Sequence, residues 1–279
     1  MDLNKKIGEL LNEGYEIISP AQKEVRKKYQ ERQNQKDGRY FVMQKVENYS
    51  LVTSQLTQSQ KGVLLLLTTA MSMNKEGKLF KDSENRLTVS DVAEMIGKKR
   101  TATYKVLTEL ESYGLITKEQ EGKEVFVNIS EGFYSCGELQ SKVPFVKIFK
   151  KRLQEVAKEL TLNEMGFLAD LLAHMHYSTH LLCSNPTEKD TSQLEIWRGK
   201  DIIELLGYSK SFVGKTLKKF RELRITVEIR TVRDVILLHP ILVSRQYKKV
   251  TLEEIVEVVD KSHLTSKNYR VGNMQSYPN

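Results

Sequence analysis

The sequence predicts a mostly helical α+β protein assembled from two copies of one small domain. Three observations carry this. The 279 residues are room for two compact domains of about 100–150 residues each. The chain repeats itself, first at an offset of 104 residues and then at 110. Each repeat runs through helical periodicity and ends in β-prone stretches. With 39% hydrophobic and 29% charged residues, a buried core is expected and wholesale disorder is not.

Residues 1–38 read as a charged N-terminal helix or arm. The stretch 21–39 carries Lys23, Arg26, Lys27, Lys28, Arg32, Lys36 and Arg39 against three acids, with little apolar surface to bury. The first copy spans 39–135, the second 143–245, and 246–279 form a C-terminal helix and a tail expected to fray from Lys261 onward. Between the copies, Phe41/Phe145, Val42/Val146, Val52/Val156, Leu56/Leu160, Thr57/Thr161, Gly62/Gly166, Leu64/Leu168, Leu67/Leu171 and Met71/Met175 are identical without a gap. After the offset changes, Asp91/Asp201, Glu94/Glu204, Gly97/Gly207, Lys105/Lys215 and Leu107/Leu217 recur. The change falls in a connection, where insertions are tolerated.

Within each copy the helix signals come in order. Thr57 and Thr161 stand before apolar-periodic runs as N-caps. The run VLLLLTTAM of the first copy is apolar almost all round, which predicts a core helix or half of a dimer interface. Ser90 precedes DVAEMI as a cap, and Gly97 ends that short helix. A longer helix follows from about Lys99 to Tyr113, with Val106, Leu107 and Leu110 on one face, and Gly114 stops it. LITKEQEGKEVFVNI then predicts a hairpin turning at Gly122. In the second copy Arg224 stands where the glycine is expected, and the hairpin turns at Arg233-Asp234. FVKIFKKRLQEVAKEL, from Phe145 to Leu160, predicts an amphipathic helix joining the two copies as a rigid spacer.

Short helix, tight turn, longer helix and hairpin make a winged helix-turn-helix, so the fold class is two tandem winged helix-turn-helix domains joined by an amphipathic helix. The spacing D-V-A-E-M-I-G-x5-Y-K-V-L-x2-L-x3-G-L-I resembles that of MarR-like bacterial winged-helix proteins over about 70 residues. The second copy, from VPFVKIFKKRL through LTLNEMGFLADLL to ILLHPILVSRQ, is similar to RepL-type replication proteins of Gram-positive plasmids and phages. These resemblances imply a sequence-specific double-stranded DNA-binding protein. It would be a transcription regulator of a bacterial mobile element or phage, or else a replication initiator that binds origin repeats. Loss of DNA binding would leave a protein-interaction module. Replication or transcription machinery and a second copy of the chain are the corresponding protein partners.

A recognition helix presents its N-terminal residues to base edges. In the first copy these are Lys98, Lys99, Arg100, Thr101, Thr103, Tyr104 and Lys105. In the second they are Ser209, Lys210, Ser211, Lys215, Lys218 and Lys219, with Arg230 and Arg233 on the wing. Arg and Lys address guanine, hydroxyls hold phosphates, and lysines neutralise the backbone. From Thr88 to Lys123 six basic residues meet six acidic; from Arg198 to Arg233 ten meet four, a net +6. The second copy is therefore expected to supply more of the salt-dependent affinity, and Glu119 and Glu121 to repel phosphate at the first wing.

The total balance of 44 basic to 36 acidic residues, +8, favours an anionic partner. Two cysteines, Cys136 and Cys183, exclude a disulfide framework and a four-cysteine zinc site. His174, His176, His180 and Cys183 are metal-ligand types, but His174 and His176 lie two apart on a helix, about 200° around, so a structural role is expected. There is no phosphate-binding glycine loop, serine elbow or His-Glu metal motif, so neither an enzyme nor a cofactor is expected. With no apolar run long enough to span a bilayer, the expectation is a soluble cytoplasmic protein without membrane contact.

Overall fold

The computed structural model describes residues 12, 18–34, 36–137 and 143–269. It divides into two units. The first is Met1–Gly38 with Tyr247–Lys249. Its helix α1 (Pro20–Asn34) begins on a proline, which suits a first helical turn, and its described side chains are exposed. A bridge joins Lys36 to Lys248.

The second unit, Arg39–Gln246 with Val250–Asn279, contains both repeats. Strand β1 (Phe41–Lys45), α2 (Val46–Thr53) and α3 (Gln58–Leu67) open it. Then come α4 (Val89–Met95), α5 (Arg100–Ser112), the hairpin β2 (Ile116–Glu121) and β3 (Glu124–Ile129), and the short β4 (Tyr134–Ser135). The second half runs β5 (Phe145–Phe149), α6 (Lys150–Ala157), α7 (Leu162–Ala173), α8 (Gly199–Leu206) and α9 (Lys210–Glu222). The hairpin β6 (Thr226–Arg230) and β7 (Asp234–Leu238), then β8 (Val243–Ser244) and α10 (Leu252–Lys261), complete it.

The predicted spacer helix is corrected at its start. Phe145–Phe149 is a strand, and only Lys150–Ala157 is helical. FVKIF and FVMQK are β-branched and aromatic runs that pair with each other, and that long-range pairing overrides the local helical pattern. The sheet order is β4-β1-β5-β8, all antiparallel. Its register is palindromic. Met43 faces Lys147, its own equivalent at the 104-residue offset, and Phe41 faces Phe149 while Lys45 faces Phe145. Met43 pairs outward with Ser135 as Lys147 does with Ser244. Lys147 is buried there, and its Nζ donates to the Gln246 carbonyl at 2.8 Å, so the strand tolerates a charge that reads as the polar face of a helix.

Helices α3 and α7 pack against one another at the centre. Both are capped as expected: Thr57 and Thr161 accept from the backbone of Gln60 and Glu164, whose side chains reach back to close capping boxes. A Cβ on Gly62 would lie 1.8 Å from the Leu162 carbonyl oxygen, and one on Gly166 would lie 2.0 Å from that of Gln58. Position 58 is equivalent to 162 and 62 to 166, so the contact is reciprocal. Val63, Leu64 and Leu67 on one helix and Phe167, Leu168 and Leu171 on the other are fully buried, each contributing about 1.5–3 kcal/mol. The all-round apolar character of VLLLLTTAM thus finds its partner within the same chain.

The pair of a short and a longer helix recurs at the 110-residue offset, with α5 and α9 covering equivalent residues. The cap of α4 is Thr88, not Ser90: Asp91 closes a box on Thr88, and Ser90 is exposed. After the longer helices, Gly114 and Arg224 take the same left-handed turn at φ +68° and +51°. The second copy keeps the geometry the missing glycine puts in doubt, at a cost the neighbouring fold bears. A further segment meets each hairpin at a single bridge, Lys78–Asn128 in the first half and Leu181–Leu237 in the second.

The tail expected to fray from Lys261 is held through residue 269. Asn268 is buried and donates from Nδ2 to the carbonyls of Thr191, Ser192 and Leu194. Ile255 and Val259 of α10 and Tyr269 join a second apolar cluster with Leu181, Val235 and Leu237. The remainder of the tail and most of 1–17 lie outside the described residues.

Candidate nucleic-acid interface

The N-terminal end of α5 offers a continuous exposed set: Lys98, Lys99, Arg100, Thr101, Tyr104 and Lys105. None of the four cations among them forms an ion pair among the described residues, so their charge is available to a ligand. Thr103 is corrected. It is 0% exposed and its hydroxyl donates to the Lys99 carbonyl at 3.1 Å. Its equivalent, Val213, is buried too, which identifies position 103 as the inward face of the helix. Tyr104 is pinned by Lys118, whose Nζ lies 4.3 Å from its ring centroid and also reaches Thr108 Oγ1 and Glu111.

On α9, Ser209 caps the helix by accepting from Phe212 N at 3.3 Å. Lys210, Ser211, Gly214, Lys215 and Lys218 line the exposed face. Lys219 points elsewhere: its Nζ donates to Glu164 at 2.8 Å, and that contact together with the Thr161 hydrogen bonds holds the Glu164 carboxyl below its usual range despite partial burial. Arg230 and Arg233 are exposed on the second hairpin, Arg230 3.8 Å from Asp234.

The first wing differs from the sequence expectation. Glu119 and Glu121 lie two apart on one strand and so share a face. Arg86 reaches both, at 2.5 Å each, and lies 4.5 Å from the Phe126 ring centroid. Hydrogen bonds from Arg86 and Asn128 hold the Glu119 carboxyl below its usual range. The repulsion expected of these acids is therefore countered by a residue that sequence reading missed. The available signal was the i, i+2 spacing of the acids beside an isolated arginine before the short helix.

Counting such partners narrows the charge difference between the halves. Lys81 pairs with Asp91 and Arg86 with the wing, which brings the first window from zero to +2. Glu164 and Asp234 bring the second from +6 to +4.

The histidines are engaged in packing and hydrogen bonds. His174 lies against Trp197 with ring centroids 4.1 Å apart and planes tilted by 36°. His176 bonds Thr179 Oγ1 and the Glu188 carbonyl, both at 2.8 Å, and His180 the Leu238 carbonyl at 3.1 Å. Burial pushes His174 and His180 down to about 4 and the Cys183 thiol up to about 12. Among the described residues no group of three His, Cys, Asp or Glu is placed to hold a metal ion, and no helix is long and apolar enough to cross a membrane.

Residues 80–131, which span α4, α5 and the first hairpin, match the family described as sugar-specific transcriptional regulator TrmB. The chain thus carries a TrmB-type helix-turn-helix domain of the winged-helix kind over that segment. No curated protein and no solved structure matches the chain significantly.

Proposed function

We propose that the protein is a sequence-specific double-stranded DNA-binding transcription regulator built from two tandem winged helix-turn-helix domains, about 39–135 and 143–245. The observation that carries this reading is the equivalence of α5 and α9, each with exposed cations at its N-terminal end, the first inside the TrmB-type match. Lys99, Arg100, Thr101, Tyr104 and Lys105 would enter one stretch of major groove, and Lys210, Ser211, Lys215 and Lys218 another, with Lys98, Arg230 and Arg233 on flanking phosphate or minor groove.

A replication initiator of a plasmid or phage is the second reading, favoured by the likeness of the second copy to RepL-type proteins. Selection of fragmented genomic, plasmid and phage DNA on the purified protein, followed by sequencing, tests both. Enrichment of a promoter, its own above all, supports the regulator. Clustered repeats beside a replication gene favour the initiator. No enrichment at low salt leaves a protein-interaction module.

A further inference from the structure

We infer that a single chain reads one duplex site made of two inverted, unequal half-sites, the second copy serving as the built-in partner of the first. This rests on the DNA-binding reading above and adds the form of the site and its stoichiometry.

The arrangement of the two halves follows a two-fold, not a translation. Antiparallel pairing of β1 with β5 is centred where Met43 meets its own equivalent, Lys147. Gly62 touches Leu162 as Gly166 touches Gln58. The helices in question are tied to this centre by equivalent contacts: Gln60 Nε2 donates to Glu109 of α5 at 2.7 Å, and Lys219 of α9 donates to Glu164 at 2.8 Å. Gln60 is equivalent to Glu164, and Glu109 to Lys219. The two-fold that relates β1 to β5 and α3 to α7 therefore relates α5 to α9 as well. Duplex DNA has two-fold axes of its own, so helices related this way meet half-sites in inverted orientation. The apolar faces of α3 and α7, which in a one-copy protein would be free to pair with a second chain, bury one another here.

The half-sites are unequal because the exposed faces are. Lys99, Arg100, Thr101, Tyr104 and Thr108 on α5 stand where α9 has Ser209, Lys210, Ser211, Gly214 and Lys218; only Lys105 and Lys215 agree. Arg100 offers a planar fork to guanine where Lys210 offers a point charge. Gly214 brings bare backbone to the groove where α5 presents a ring.

The test uses the fragment enriched in the selection. Footprinting and analytical ultracentrifugation of the full chain on it should give one chain per duplex. Two inverted protected stretches are expected, about 10 bp apart centre to centre. The variant K99S/R100K/T101S/Y104G/T108K, which gives α5 the exposed residues of α9, should raise affinity for a palindrome of the α9 half-site about tenfold relative to the natural site. Two chains per duplex, direct repeats, a single protected stretch, or an unshifted preference in the variant overturns this inference while leaving DNA binding intact. Failure to enrich any duplex overturns the DNA-binding reading itself.

Discussion

Lys219 donates to the Glu164 carboxylate at 2.8 Å, and at the equivalent place in the first half Gln60 donates to Glu109 at 2.7 Å. One contact survives with its chemistry exchanged. The third residue of each central helix closes its own capping box and at the same time holds the longer helix of the helix-turn-helix. Geometry keeps the position the same in both halves, while the side chains that satisfy it differ.

Lys215 and Lys218 are exposed and make no ion pair among the described residues. The double variant Lys215→Glu/Lys218→Glu should weaken binding to every duplex. It should also reduce the slope of log affinity against log salt by about 0.9 for each phosphate no longer neutralised. Titrations at several salt concentrations check it; unchanged affinity and slope would remove α9 from the interface.

Arg100→Ala should act differently. If Arg100 meets a base edge, as proposed, the gap between specific and random DNA should shrink by about 1–3 kcal/mol. Equal losses on both DNAs would make Arg100 a phosphate contact.

Gly62→Ala and Gly166→Ala should each destabilise the fold by about 1–3 kcal/mol or more, because each added methyl meets backbone and not a movable side chain. Gly214→Ala has open space around it and should raise stability by about 0.5–1 kcal/mol. Urea denaturation of the three variants distinguishes them, and a harmless Gly166→Ala would contradict the close crossing of α3 and α7.

Lys61 and Asp170 form a buried ion pair at 2.8 Å, and Tyr208 also donates to Asp170 at 2.5 Å. Burial raises the Asp170 carboxyl above its usual range even against these partners. Lys61→Met alone strands the carboxylate and should cost about 3–5 kcal/mol. The equivalent positions in the other half hold Met165 and Leu66. Lys61→Met/Asp170→Leu should therefore recover about half of the loss or more, since an apolar pair of similar volume replaces a costly buried charge. A double variant no better than the single would show that the pair is needed as such.

Acid should destabilise the protein through its histidines. His174 and His180 are depressed from 6.5 to about 4 by burial, so below pH 6.5 the unfolded chain binds the protons that the folded chain refuses. Their contribution is intact above 6.5 and is lost as pH falls toward about 4. Asp170 works in the opposite sense, since protonation relieves its burial penalty. Denaturation midpoints between pH 7 and 4 should fall, and His180→Gln should flatten part of that fall; an equal slope in wild type and variant would show that His180 ionises freely.

Local chemistry makes much of this protein legible from its residues alone. Thr57 and Thr161 are caps because a hydroxyl three residues ahead of Gln or Glu can close a box, and that test needs only neighbours. The ends of α5 and the turn at Gly114 follow equally from nearby residues. The repeat at 104 and 110 residues locates both pairs of short and longer helices and most of the exposed cations. Apart from the cap of α4, where Asp91 selects Thr88 over Ser90 locally, sequence and structure part where tertiary contacts are at work. FVKIF is a strand because FVMQK, some hundred residues earlier, pairs with it. Thr103 is buried on the inward face of its helix, while Lys219 turns to Glu164 and Arg86 covers the wing acids, both across elements. Composition and local spacing determined most of the helices, both hairpins and which of them carry charge. Only the tertiary structure decided that the two halves face each other across a two-fold, because strand register and the backbone contacts of Gly62 and Gly166 exist only once the chain has closed on itself.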